Sequence, residues 1–504
     1  MMPDAARMAP APGEGGGAQL TEAVGRTGPR PARAGTREPE PGGGPRVPAV
    51  PGFASWPSPV SPRRVGKDLR SRVPRAEHAG YAPVPGRISP VEAVIRSNED
   101  RLPELVPIRV GRMCASPFAF LRGSAGLMAA DLVHTPTTGV VAHLCGDAHA
   151  ANFGLYGDAT GRLVIDINDF DETAPGPWEW DLKRLATSLV LAGRESGAGA
   201  DACRTAALDA VAAYRHTVRL LAGLPALDAW NAIADEDLVR HADARDLLGT
   251  LEQVAGKARR NTSARFAARS TVRVPGGGLR FTDAPPVLRR VPDKEAAAVA
   301  GALPSYLDTL PADRLPLLAR YTVQDVAFRV VGTGSVGTRS YVVLLTDHRG
   351  QALVLQVKEA RPSALLPHLA RAGLPVPDTG HQGRRVVLGQ RRMQVVSDHL
   401  LGWTSIEGRD YQVRQFRNRK GSVDPAALAP GQLDDYGRLT GALLARAHTH
   451  SVDPRLLAGY CGKNGELDEA VAAFAVAYAD QTEADHAQLV AAVRAGRLAA
   501  RTDV

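Results

Sequence analysis

The stretch from Leu144 to Leu185, LCGDAHAANFGLYGDATGRLVIDINDFDETAPGPWEWDLKRL, restricts the fold more than any other. It sets His149, Asn152 and the carboxylates Asp147, Asp166, Asp169, Asp171 and Glu172 among apolar residues spaced as strands. A carboxylate beside a buried strand costs free energy unless something neutralises it. Mg2+ is the simplest partner, because it takes one or two carboxylates and fills its shell with phosphate oxygens and water. The pattern predicts a Mg2+-phosphate site; the competing reading is a pair of solvated turns.

A second stretch asks for the same ligand. Residues 321–358 read as strand DVAFRVV, loop GTGSVGT, strand SYVVLLT, turn TDHRG and strand ALVLQVK. The loop residues Gly332, Thr333, Gly334, Ser335, Val336 and Gly337 let backbone N–H groups approach phosphates. Lys358, ending the third strand, can reach those phosphates from below. The glycine pattern opens no helix, so it is not the dinucleotide fingerprint.

Composition narrows the partners. Of a net charge of +8, residues 1–75 account for most, with twelve Arg/Lys against six Asp/Glu, so the remainder gives no strong nucleic-acid signal. The same residues hold 14 of the 38 prolines and few large apolar side chains, and are predicted to be disordered. No window approaches the roughly 20 apolar residues of a membrane span. The start of the chain lacks an apolar signal core, and Cys114, Cys145, Cys203 and Cys461 form no CxxC pair. A cytoplasmic protein without membrane contact is expected.

Between these landmarks, Ser89, Pro90 and Glu92 read as the capped start of a helix. Arg109, Arg112 and Arg122 lie among apolar residues; snorkelling over a core suits the first two, and Arg122 is a phosphate or substrate clamp candidate. Helices are expected from Asp181, through residues 200–255, over 384–398 and 436–447, and at the end, where Phe474 and Tyr478 read as core. YQVRQF (411–416) alternates like a strand, and the basic run from Lys257 to Arg269 reads as a solvated face.

Asp147-x-His149-x-x-Asn152 resembles the catalytic loop of aminoglycoside and choline phosphotransferases, and VID, ending at Asp166, resembles their metal-binding segment. WEWDLKRLA is similar to the helix that follows there, GTGSVG with LQVK resembles the small lobe of the protein-kinase-like fold, and LTGALLARAH resembles the helix before the catalytic loop. The order is rearranged, as a circular permutation would leave it. Residues 75–500 also resemble a bacterial family, domain of unknown function 2252, through PIRxGRM, SPFAFLRG, CGDAHxxNFG, INDFDE, WEWDLKRL, VGTGSVGTR and LQVKEA.

The resemblance implies an α+β, circularly permuted two-lobe fold. The tail (1–75) is followed by a first large-lobe part (76–234), a helical insert facing substrate (235–320), a small antiparallel β lobe (321–425) and the remaining large-lobe helices (426–504). It implies ATP and Mg2+ as cofactors and an unidentified hydroxyl acceptor, with oligomeric state open. Asp147 would be the catalytic base, with His149 orienting the loop. Asn152, Asp166 and Asp169 would hold metal, with Asp171 in reserve. Lys358 and the loop would hold phosphates, Tyr411 and Val413 would belong to an adenine-facing hinge, and Asp181 would bind the catalytic-loop backbone.

One departure stands out. The stretch 384–394 lacks the acid expected to pair with the lysine, leaving Glu359, the central acids or nothing in that part. A catalytically inactive pseudokinase, a nucleotidyl-transfer variant and, more remotely, a metallophosphoesterase are the alternatives.

Overall fold

The structure is a computed structural model that describes residues 60–158, 160–232, 245–330, 335–374, Val376 and 380–501. Helices α1 (Pro62–Arg72), α2 (Pro90–Ser97), α3 (Val106–Met113) and α4 (Pro117–Gly123) each carry proline in the first turn, where its missing N–H would have no helical partner. The hydroxyls of Ser89 and Ser116 cap α2 and α4, accepting the N–H groups of Glu92 and Ala119 at 3.1 Å each. After α5 (Ala125–Leu132), β1 (Val141–Leu144) pairs antiparallel with β4 (Ala174–Pro177). Between them β2 (Phe153–Gly157) and β3 (Leu163–Ile167) form a hairpin.

Helix α6 (Trp178–Glu195) is buried almost throughout and packs against α7 (Ala200–Leu221). Trp178 stacks on Tyr214 with ring centres 5.6 Å apart. The chain then builds a small hairpin of β5 (Thr271–Arg273) and β6 (Leu279–Phe281) and a six-stranded antiparallel sheet. That sheet has the order β11-β12-β10-β9-β8-β7. Its strands are β7 (Leu288–Arg290), β8 (Thr322–Arg329), β9 (Ser340–Thr346), β10 (Ala352–Glu359), β11 (Gly402–Ile406) and β12 (Arg409–Gln415). Helix α8 (Gln382–Met393) lies between β10 and β11 in sequence. Through β7, the segment expected as a separate insert extends this sheet, and its Val299, Tyr306 and Leu318 share a core with Phe328, Val343 and Val413.

From β12 the chain crosses through 416–420 to β13 (Gly421–Ser422), which pairs with β2. Helices α9 (Pro430–Thr449), α10 (Pro454–Cys461) and α11 (Glu466–Arg494) complete the helical body. Phe474 and Tyr478 are buried and stacked, as their spacing implied. No helix among the described residues is long and apolar enough to cross a membrane.

The tail requires a correction. Residues 1–59 lie outside the described residues, but 62–72 form α1, which docks on α10. Two glycines permit this contact. A Cβ on Gly66 would meet the Leu456 carbonyl oxygen at 2.0 Å, and one on Gly459 would meet the Arg63 carbonyl oxygen at 2.3 Å. Arg70 donates to the carbonyls of Tyr460 (2.9 Å) and Gly459, and Arg75 to that of Cys461 (2.9 Å). They satisfy the open C-terminal end of α10, whose dipole favours cations. Arginines counted as tail charge are thus partners of a helix end. Gly66→Ala is expected to lift α1 from α10 at a cost of about 1–3 kcal/mol. Limited proteolysis should then cut within 62–75; protection equal to that of the parent protein would contradict the close-approach account.

Candidate active site

The β2–β3 hairpin brings two distant parts of the acidic stretch together. Gly154 lies opposite Asp166, so Asn152 before β2 and Asp169 after β3 meet at the open end. Asn152 Nδ2 donates to the carbonyls of Asp147 (3.0 Å) and Asp169 (3.1 Å). Its Oδ1 has no hydrogen-bond partner among the described residues. The loop carrying Asp147 hangs from Asp181, which accepts the N–H groups of Cys145 (2.8 Å) and Gly146 (3.0 Å), as the sequence implied. A Cβ on Gly146 (φ 80°) would meet the Glu172 carbonyl oxygen at 2.1 Å, so only glycine allows the two segments to pass so closely.

Asp147 Oδ1 accepts Arg184 Nε at 2.7 Å, and its Oδ2 lies 3.7 Å from His149 Nε2. Burial raises the Asp147 carboxyl above the ordinary range, with Arg184 pulling the other way. His149 is buried edge-on to Phe118, and burial, followed by Arg122 and Arg184, holds its imidazole well below the ordinary value, so the ring is neutral at pH 7.

Lys358 supplies the cation. Its ammonium pairs with Asp171 and stands 3.7 Å from Asp169 Oδ1. Asp171 also accepts Gln412 Nε2 at 2.9 Å and Ser335 Oγ at 3.2 Å. Burial acts to raise the Asp169 pKa, but Lys358, Arg414 and Lys420 outweigh it, and the carboxyl lies below its ordinary value. The acidic partner of the lysine therefore comes from the central acids. Helix α8 contributes an arginine: Arg385 donates to the carbonyls of Thr173 (2.6 Å), Asp171 (2.7 Å) and Arg361 (2.7 Å), fixing the acidic turn to the segment after β10. Glu359 is engaged elsewhere, by Arg339 at 3.4 Å and Arg409 at 3.0 Å.

Not every expected residue joins this centre. Asp166 turns into the helical body, where its Oδ1 accepts Arg446 Nη2 at 2.5 Å and the Ile167 N–H at 2.9 Å. Both side chains are almost wholly buried, and Asp166 does not line the cleft. Tyr411 and Val413 also fall away. Strand alternation puts them on the core face with Val357, whereas Gln412 shares the face of Lys358. The crossover begins at Phe416, so 411–415 is sheet rather than hinge. Gly332, Thr333 and Gly334 lie outside the described residues. Of the remaining loop, Ser335 touches Asp171, Val336 is buried in the core, and Gly337 accepts the Leu102 N–H at 2.8 Å.

Asp147, Asp169, Asp171, Glu172, Ser335 and Thr338 line one cavity of about 1040 Å³. Arg122, singled out from sequence, lines it too. Sequence reading missed Gln412, Arg184 and Arg385; strand parity opposite Lys358 could have found the first. Among the described residues no three His, Cys, Asp or Glu side chains form a ready-made metal cluster. Mg2+ does not need one when phosphate supplies further oxygens, and Asp169, Asp171 and the free Asn152 Oδ1 are donors of the right hardness.

Fold and site thus define a mixed α/β protein whose acidic turn lines one large cleft and is backed by a buried strand lysine. Residues 101–492 match the family of uncharacterized proteins conserved in bacteria, DUF2252, and the chain belongs to that family. No curated protein and no solved structure matches it.

Proposed function

We propose that the protein is an ATP- and Mg2+-dependent phosphotransferase acting on a hydroxyl. The observation that carries this reading is the meeting of the buried Lys358 with Asp171 and Asp169, two acids that line the same cavity as Asp147. Phosphoryl transfer needs a cation for the phosphates, hard oxygen ligands for the metal and a carboxylate for the acceptor proton. Asp169 and Asn152 would hold Mg2+, which would neutralise charge on the transferring group. Lys358 would hold the phosphates, and Asp147 Oδ2 would receive the hydroxyl proton. A carboxylate raised by burial suits a general base, because it takes up a proton more readily near neutral pH.

Two features support the permuted kinase-like arrangement. The sheet from β8 to β12, with α8 between β10 and β11, has the parts of the small lobe that the sequence resembles. The end of α9 also reaches the start of the Asp147 loop, with Ser451 Oγ accepting the His143 N–H at 2.8 Å and His448 3.4 Å from Asp181. A second reading, nucleotide binding without transfer, is favoured by the engagement of Asp147 with Arg184.

The test is a melting curve with and without Mg2+ and ATP, followed by transfer of labelled γ-phosphate to an acceptor panel. Ligand at 100 times Kd should stabilise the protein by about 2.7 kcal/mol. Asp147→Asn should keep that stabilisation and lose transfer. In the parent protein, transfer should fall as acid protonates Asp147, with an inflection above the usual carboxylate range. Stabilisation without transfer to any acceptor would favour the second reading; no response to nucleotide would reject both.

A further inference from the structure

The cavity has a second chemical character. The acids of its acidic turn and catalytic loop have partners: Asp147 has Arg184, Asp171 has Lys358, and Glu172 Oε2 accepts the Ala364 N–H at 2.5 Å, while Glu99 and Asp100 at the exposed rim form no ion pair among the described residues. Five of its arginines have no carboxylate of their own among the described residues; one, Arg371, is exposed at the rim. Among the described residues Arg101, Arg109, Arg122 and Arg361 form no ion pair, though all line the cavity. Arg101 donates to the carbonyls of Ser97 (2.9 Å) and Val336 (2.6 Å), and Arg361 to that of Glu99 (2.6 Å). Arg109, almost fully buried, reaches Ser97 Oγ (3.0 Å), Asn98 Oδ1 (2.7 Å) and the Gly123 carbonyl (2.8 Å), while its Nε has no partner. Arg122 stands over the Phe118 ring at 5.9 Å, its Nε also buried without a partner.

Arg101, Arg109 and Arg361 repel one another in this partly desolvated wall, with Arg122 nearer Asp147 and His149, and neutral carbonyls do not cancel their charge. The strain is visible in Arg101, whose pKa burial and then Arg361 bring down to about 10. Arg101 is committed to holding the α2–α3 turn against the loop at Val336, and Arg109 to tying the end of α2 to the end of α4 at Gly123. Arg122 and Arg361 retain unused donors on the cavity, in the forked geometry that fits an oxyanion. A cationic acceptor would face this wall unfavourably.

We infer that the acceptor is a small hydroxyl compound carrying an oxyanion, phosphate or carboxylate, held by Arg122 and Arg361 while its hydroxyl faces Asp147. The oxyanion site stands on the arginines alone; the reaction at the hydroxyl rests on the phosphotransferase reading. In that step the acceptor oxygen bonds to the γ-phosphorus, the bond from that phosphorus to the β–γ bridging oxygen breaks to release ADP, and the hydroxyl proton passes to Asp147.

The experiment follows melting of the full chain in inorganic phosphate and in acetate, each against sodium chloride of equal ionic strength. Saturable stabilisation by one of them is expected, and which one identifies the oxyanion. Arg122→Gln and Arg361→Gln should each weaken it about tenfold or more. Their anion-free melting temperatures check folding, and Arg122→Lys, keeping charge without the fork, should fall between. No stabilisation beyond chloride, or unchanged affinity in folded variants, overturns the site. Phosphate that displaces Mg2+-ATP, rather than adding to its stabilisation, would assign the arginines to the nucleotide and overturn the acceptor. Failure of the nucleotide response alone would reject the phosphotransferase reading and leave the anion site standing.

Discussion

Lys358→Met is expected to cut phosphoryl transfer by about 10²–10³-fold, the usual loss on removing one preorganised electrostatic group from a reacting centre. It should also abolish the stabilisation by Mg2+-ATP. The reason lies in the strand: Lys358 is 3 % exposed, so its ammonium cannot swing into solvent and must act where β10 places it. Methionine preserves the apolar stem, and Asp171 keeps Gln412 and Ser335 as donors, so the fold should survive. Arginine should not rescue, because its longer planar fork does not fit a buried point-charge site. Nucleotide-dependent stabilisation and transfer at parental levels in Lys358→Met would remove the basis of the proposed function.

The second large effect concerns stability. Arg446→Leu is expected to cost about 3–5 kcal/mol, because it leaves Asp166 as a buried carboxylate without its cation. That is a large share of the 5–15 kcal/mol typical of a folded domain. Replacing both residues by apolar ones of similar volume should recover much of the loss, since a buried ion pair is costly mainly when half of it is missing. The same experiment separates the aspartates. Asp166→Asn should lower the ligand-free melting temperature, whereas Asp169→Asn, at a half-buried side chain facing the cavity, should change it much less and remove the Mg2+-dependent part of the nucleotide response. Chemical denaturation of the four proteins gives the energies, and the reverse pattern would return the metal to Asp166.

Much of this site was readable from residue order. Lys358 at a strand end, the loop around Asp147 and the backbone bonds of Asp181 follow from local patterns that the structure keeps. Asp166 illustrates the limit. Its motif is strong, but its partner Arg446 is 280 residues away on α9, and nothing local shows that an arginine will take up that carboxylate. Tyr411 and Val413 failed for a different reason. Their alternation with Gln412 and Arg414 is visible in the sequence, but which face meets the lysine depends on the pairing of Lys358 with Gln412, which only the sheet register gives. The arginine-rich wall was hidden too, since Arg101, Arg122 and Arg361 come from segments joined only in the fold.

The contact between Lys358 and Asp171 carries a thermodynamic consequence. The amine is already matched by a carboxylate, so arriving phosphates must compete with that carboxylate for it. A divalent ion drawn to the acidic turn relieves the competition by giving the displaced oxygens a new counter-charge. On the proposed function, ion and nucleotide would be linked ligands, each multiplying the affinity of the other by one common factor. Titrating them in either order should yield the same product of constants.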